Sequence, residues 1–352
     1  MQSRLIPAAA LAWTAILFAC VSPPARFQAT PPTLHLPQQG ILPSGCKAAI
    51  VKDFRSKSVA LAYGSPIWEP YLDLDAPGFY CLTTDVVAVP LWDSHTWSEA
   101  PVSGIGRLAT IQANDVTLDL SAHELRNERA SGMTLVSHYK YFKYGHKQPF
   151  QFKRTRVRNG ALNSIGGLGI VLVTPVDPSP RSVYLPDTGD RADSLSTGDG
   201  ITAHVVENLT IRAGVAGIII DGVDNVIRNN RIIVDGPVAI VAKGPGLILE
   251  NNVIEVSDRL DRRAWPGARS GTTSPPRLPI HLIQADGAIV RNNRIEYVGV
   301  WPWNRPAAGI DLIESRDVTL EGNTSTTLES IVRRDARSGL RDAAPRPPPR
   351  DP

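Results

Sequence analysis

Two pairs of ionisable residues interrupt an otherwise apolar pattern: His281 with Asp311, and Asp221 with Lys243. Each belongs to a short Ile/Val-rich run that recurs along the chain. When the runs are aligned, Ile170/Leu172, Ile218/Ile220, Ile240/Ala242, Ile280/Leu282 and Ile310/Leu312 fall in register. In a strand, alternate side chains face opposite sides, so the residue between each pair must face outward. That outward stripe reads Val171, Ile219, Val241, His281, Asp311, and the next reads Val173, Asp221, Lys243, Ile283, Ile313. If equivalent strands stack, His281 and Asp311 lie one strand apart, about 4.8 Å. An imidazole oriented by a carboxylate can act as a general base, for instance toward a proton alpha to a carboxylate, with a nearby cation to stabilise the enolate. The same pairing also serves as a plain cross-strand ion pair, and so does Asp221 with Lys243. Hydrolysis of a glycosidic bond needs two carboxylates. Only Asp311 with Glu314 offers a local pair, and Asp221 is three strands from Asp311, roughly 14 Å.

The elements that must position these residues form a repeat. Asn225-Val-Ile-Arg-Asn-Asn, Gly246-Leu-Ile-Leu-Glu-Asn-Asn, Gly287-Ala-Ile-Val-Arg-Asn-Asn and Asp317-Val-Thr-Leu-Glu-Gly-Asn place the second Asn, or its equivalent, at 230, 252, 293 and 323. The spacings are 22, 41 and 30, which are one 22-residue unit carrying insertions of 19 and 8 residues in the last two. A fixed period with insertions marks a solenoid. One unit cannot bury its own apolar face, so units must stack through parallel strands. Asn230, Asn252, Asn293 and Asn323 are expected to form a structural ladder at one corner, bonding from unit to unit.

The two insertions enter just before the strands bearing His281 and Asp311. One, 257–279, carries Arg262, Arg263, Trp265, Arg269 and Arg277; the other, 299–306, carries Trp301, Trp303 and Arg305. Tryptophan offers a flat face to sugar rings and arginine a fork to carboxylates. Arg262, Arg263, Trp265, Trp301, Trp303 and Arg305 are therefore candidate contacts to an acidic polysaccharide; the alternative is that the Trp side chains cover the apolar outward face.

The repeats, together with Pro77-Gly-Phe-Tyr-Cys-Leu-Thr-Thr-Asp and Asn114-Asp-Val-Thr-Leu-Asp-Leu-Ser-Ala-His, resemble the right-handed parallel β-helix proteins of the pectate-lyase-like superfamily. Ser121-Ala122 stands where that family usually has Asn-Gly. The resemblance covers about residues 75 to 325 and implies an all-β, single-stranded parallel β-helix with an N-terminal cap. It does not name an activity, because this fold hosts lyases, hydrolases, epimerases and non-enzymes. The Asp-Asp and Gly-His-Gly constellation of polygalacturonases and the Asp-Pro-His-Glu of alginate epimerases are not in the sequence.

Residues 1–20 read as an export signal: Arg4, an apolar run from Leu5 to Ala19, then Cys20. The run is short for a membrane span. Leu17-Phe-Ala-Cys20 resembles a bacterial lipobox, which would lipidate Cys20 and tether the protein to a membrane; a plain cleaved signal and an uncleaved anchor are the alternatives. Residues 21–44 read as a flexible tether, 45–75 as an N-terminal cap with a helical stretch around Ala48 to Ala62, and 76–329 as the β-helix. A C-terminal cap at 330–340 and a Pro/Arg-rich disordered tail at 341–352 complete the division. After export, Cys46 and Cys81 would pair as a disulfide, the alternative being two free buried thiols.

A net charge of +3 gives no reason to expect a nucleic-acid partner. Residues 137–160 are basic and aromatic, a composition that suits anionic sugars or a solvated loop. Asp187, Asp190, Asp193 and Asp199 supply oxygens of the kind calcium takes, at spacings that match no known calcium loop. The expectation is an exported, monomeric β-helix that binds, and in one version cleaves, an acidic polysaccharide. The alternative is a non-catalytic structural or interaction module of the cell envelope.

Overall fold

The computed structural model describes residues 44–50, 59–60, 66–67, 72–88, 107–128, 133–137, 152–165, 167–173, 201–236, 238–257, 279–299 and 305–341. The described chain is all-β, with no helix. Its strands fall into a fourteen-stranded sheet, a nine-stranded sheet and one two-stranded ribbon. Pairings within both large sheets are parallel, and only Val59–Ala60 with Pro66–Ile67 is antiparallel. Long parallel sheets visited in the same order by successive repeats are compatible with a β-helix or solenoid.

One repeat shows the construction. Ala216–Asp221 joins the nine-stranded sheet, and Val226–Arg228 and Arg231–Val234 join the fourteen-stranded one; the next repeat begins with Val238–Lys243. Ile218, Ile220, Ile240, Leu282 and Leu312 of the nine-stranded sheet face Ile227, Ile232, Leu249 and Ile295 of the other in one continuous core, all but fully buried. Period-2 alternation of β-branched residues specifies this face, because a slip of one residue would turn these core side chains outward.

The corner between the second and third strands explains the Asn-Asn motif. Its first residue adopts the left-handed conformation at Asn229, Asn251, Asn292 and Gly322, with φ of 56°, 55°, 54° and 61°. Asn and Gly tolerate that region best. The second Asn turns inward. Asn230 donates from its backbone N–H and Nδ2 to Asn252 Oδ1, both at 3.0 Å. Asn252 does the same to Asn293 Oδ1 at 3.0 and 2.9 Å, and Asn293 to Asn323 Oδ1 at 3.1 and 2.9 Å. Each Nδ2 also reaches a backbone carbonyl: Val206, Ile227, Leu249 and Val290.

Cys46 and Cys81 are joined by a disulfide with a Cα–Cα distance of 5.9 Å. It lies beside the parallel pairing of Lys47–Ala48 with Tyr80–Cys81. Of the stretch from Ala48 to Ala62 expected to be helical, the described ends are strands, Lys47–Ala48 and Val59–Ala60, and residues 51–58 and 61–62 lie outside the described residues. Helix propensity at Ala48 yields to the sheet edge and the covalent link beside it.

Candidate functional site

The register places His281 opposite Asp311 and Asp221 opposite Lys243. The outward column of the nine-stranded sheet runs Asp73, Thr110, Val136, Val171, Ile219, Val241, His281, Asp311, Arg333. Val171, Ile219 and Val241 of this column are buried, forming a second hydrophobic cluster with Leu168, Val173, Val215, Ala216, Val238 and Ile283 on the outside of the sheet.

His281 and Asp311 close one end of that cluster, each 2% exposed. His281 Nδ1 is 2.9 Å from Asp311 Oδ2. The two atoms are close but poorly aligned, and neither gains a well-directed hydrogen bond. The other carboxylate oxygen, Oδ1, accepts from Arg333 Nε at 2.6 Å. Burial pushes the Asp311 carboxyl up, but His281 and Arg333 together outweigh burial and hold it below the usual range. The result is a His–Asp–Arg triad across three neighbouring strands, and the sequence reading missed its third member. Arg333 occupies the same outward column, so extending the alignment one repeat further would have found it.

Asp221 and Lys243 are also buried, at 1% and 4% exposure. Arg305 is exposed and has no ion partner among the described residues. Arg262, Arg263, Trp265, Trp301, Trp303, Cys20 and the four candidate calcium ligands Asp187, Asp190, Asp193 and Asp199 lie outside the described residues. Among the described residues no cluster of three or more His, Cys, Asp or Glu is arranged to hold a metal ion.

An open groove of about 660 Å³ lies at the turns that follow the nine-stranded sheet, lined by Pro245, Gln284, Asp286, Glu314, Arg316 and Arg337. Those turns have one conserved-geometry position, occupied by Gly222, Gly244, Gln284 and Glu314, with φ of 101°, 113°, 49° and 50°. Two glycines give way to two long polar side chains in a backbone region that costs ordinary residues about 1–2 kcal/mol each. Gln284 Nε2 donates to Glu314 Oε2 at 3.0 Å, and Arg337 bonds Glu314 Oε1. The Gln284 bond, with Arg337 beside it, holds the Glu314 carboxyl below the usual range. Asp286 Oδ1 accepts the Arg316 backbone N–H at 2.7 Å. The Arg316 guanidinium is exposed and has no ion partner among the described residues. The groove thus presents one uncommitted cation, one shared cation and two carboxylates, drawn from four successive repeats. The sequence reading picked out only Glu314 here, as a weak partner for Asp311; the signal for the rest was the change from Gly to Gln and Glu at one turn position.

The segments that break the period are also informative. Residues 89–106, 129–132, 258–278 and 300–304 each precede a strand of the nine-stranded sheet, and 138–151 and 174–200 each follow one.

Of the basic stretch 137–160, residues 138–151 lie outside the described residues, and the three arginines that follow are committed to ion pairs. Arg154 pairs with Asp115, Arg156 with Glu207 and Arg158 with Asp119. Searches against protein-family models, curated proteins and solved structures found no match to this chain.

Proposed function

We propose that this chain is an exported right-handed parallel β-helix of the pectate-lyase-like type that binds an acidic polysaccharide without cleaving it. In this reading residues 45–75 cap the N-terminal end, and lipidated Cys20 tethers the protein to a membrane at the periplasm or cell surface. The observation that carries the binding reading is the open groove, whose uncommitted Arg316 sits among Gln284, Asp286, Glu314 and Arg337. Its volume falls in the range of small-ligand sites. A uronate carboxylate pairs with Arg316, with Arg337 shared between it and Glu314, while sugar hydroxyls donate to Asp286. Lining residues from four repeats suit a polymer that lies along the stacking direction.

The non-cleaving part follows from His281 and Asp311. A general base must reach the proton it removes, and both groups are 2% exposed, with Asp311 held by Arg333. With Arg333 they act as a structural polar triad at the edge of the outer apolar cluster.

Electrophoresis through gels containing polyuronates tests the reading. Expected is retardation in the polyuronate gels, none in a neutral glucan gel, and loss of retardation in Arg316→Ala. Equal mobility in every gel would exclude acidic-polysaccharide binding.

A further inference from the structure

The fourteen-stranded sheet carries an outward column that alternates in charge over seven strands: Asp119, Arg158, Glu207, Arg228, Glu250, Arg291, Glu321. Two residues earlier on the same strands, and therefore on the same face, a second column reads Thr117, Arg156, Val205, Val226, Ile248, Ile289, Thr319. Its middle four members form an apolar stripe. Val205, Val226 and Ile248 are partly exposed, and Ile289 is 36% exposed. Four stacked strands make this stripe about 14 Å long, and the charges beside it extend over about 29 Å.

From this we infer that the outer face of the fourteen-stranded sheet is an interface with a second copy of the chain, related by a two-fold axis parallel to the strands. The axis passes between Val226–Arg228 and Ile248–Glu250. Such an axis reverses the stacking direction and keeps each column facing itself. Val226 then meets Ile248, and Val205 meets Ile289. In the same register Arg228 faces Glu250, Glu207 faces Arg291, and Arg158 faces Glu321. Every charge on this part of the ladder meets its opposite, and the centre of the apolar stripe coincides with the centre of the charge match. A displacement by one strand would set like charges against each other, which disfavours it.

The charges also bond within one chain, Arg228 to Glu207 at 2.6 Å and Arg291 to Glu250 at 2.6 Å. Glu321, at the end of the ladder, has no ion partner among the described residues. Those internal pairs already restrict the long side chains beside the stripe, so less rotamer entropy is lost when a partner docks. A contact of this size belongs with weak, concentration-dependent association rather than an obligate dimer. The inference departs from the monomer expected of the sequence, and it concerns a different face from the polysaccharide groove.

Sedimentation equilibrium of the full chain over a concentration series at low ionic strength tests it. Expected is a mass rising from one chain toward two. Ile248→Glu, which enters the interface twice, should lower the association constant by at least about 10-fold, and Arg228→Glu should do the same. Combining Arg228→Glu with Glu250→Arg restores the match across the two-fold while breaking the pairs within each chain. Recovered association in that double variant, with circular dichroism confirming folding, supports the interface. A constant single-chain mass up to the solubility limit overturns it, and so does a folded double variant no better than Arg228→Glu.

Discussion

Replacing Asn252 by Ala probes the corner ladder at a buried position inside it. The Asn252 side chain, 1% exposed, takes part in four hydrogen bonds. Its Oδ1 accepts from the backbone N–H and Nδ2 of Asn230, and its Nδ2 donates to Ile227 O and Asn293 Oδ1. At about 1 kcal/mol net per bond, the loss is about 4 kcal/mol, with a range of about 2–6. The stranded groups include the Asn230 N–H and the Ile227 carbonyl, which are too deep for water to satisfy, so the upper half of that range is expected. Asn323 is the control. It ends the ladder, takes part in three bonds and is only partly buried, so water can replace what Ala removes. Asn323→Ala should cost about 1–2 kcal/mol. Urea unfolding followed by far-UV circular dichroism compares the two directly. A cost below about 1 kcal/mol for Asn252→Ala, or one no larger than for Asn323→Ala, would refute the ladder as a source of stability.

Other consequences follow from particular groups. His204 is buried, accepts the Thr155 backbone N–H at Nδ1, and has its pKa lowered by burial to about 4. Its neutral form stabilises the fold fully above the ordinary value of 6.5, and that contribution is lost as pH falls from 6.5 toward 4, about 3 kcal/mol in all. Unfolding at pH 7 and pH 5 should show this slope in the wild type and a shallower one in His204→Gln; equal slopes contradict it. The disulfide closes a separation of 35 residues. By chain entropy the Cys46→Ser, Cys81→Ser variant should lose about 4 kcal/mol, and unchanged stability would show that the link constrains nothing. Incubation with uronate polymers should produce no rise in ultraviolet absorbance from unsaturated uronate; a rise abolished by His281→Ala would restore a lyase.

Much of the framework could be read from residue order. The Ile and Val alternation marked which side of each strand faces the core, and Asn230, Asn252, Asn293 and Asn323 marked the corner. The left-handed residue before each of them is Asn or Gly, as its backbone demands. The charge ladder was equally visible, since Arg228, Glu250, Arg291 and Glu321 stand immediately before the corner residues, yet alternation in sign across repeats is not a feature one scans for along a chain. The groove was less legible. Gln284 and Glu314 are brought together with Arg337 only because equivalent turns stack, and nothing local says that a Gln will take a glycine's backbone angle. The fate of His281 and Asp311 was not legible either. Register fixes their direction, but burial depends on what lies over an outward face, and their neighbours in sequence do not determine that.

The central claim is recognition of an acidic polysaccharide through the groove, and calorimetric titration with a short oligouronate measures it most directly. The account predicts saturable binding to the wild type and a loss of about 1.5–3 kcal/mol, or roughly 10- to 150-fold, on Arg316→Ala, as expected for a charge-assisted hydrogen bond. It also predicts no such binding for a neutral oligosaccharide of equal length. No heat beyond dilution with any oligouronate, or equal affinity in wild type and Arg316→Ala, would contradict it.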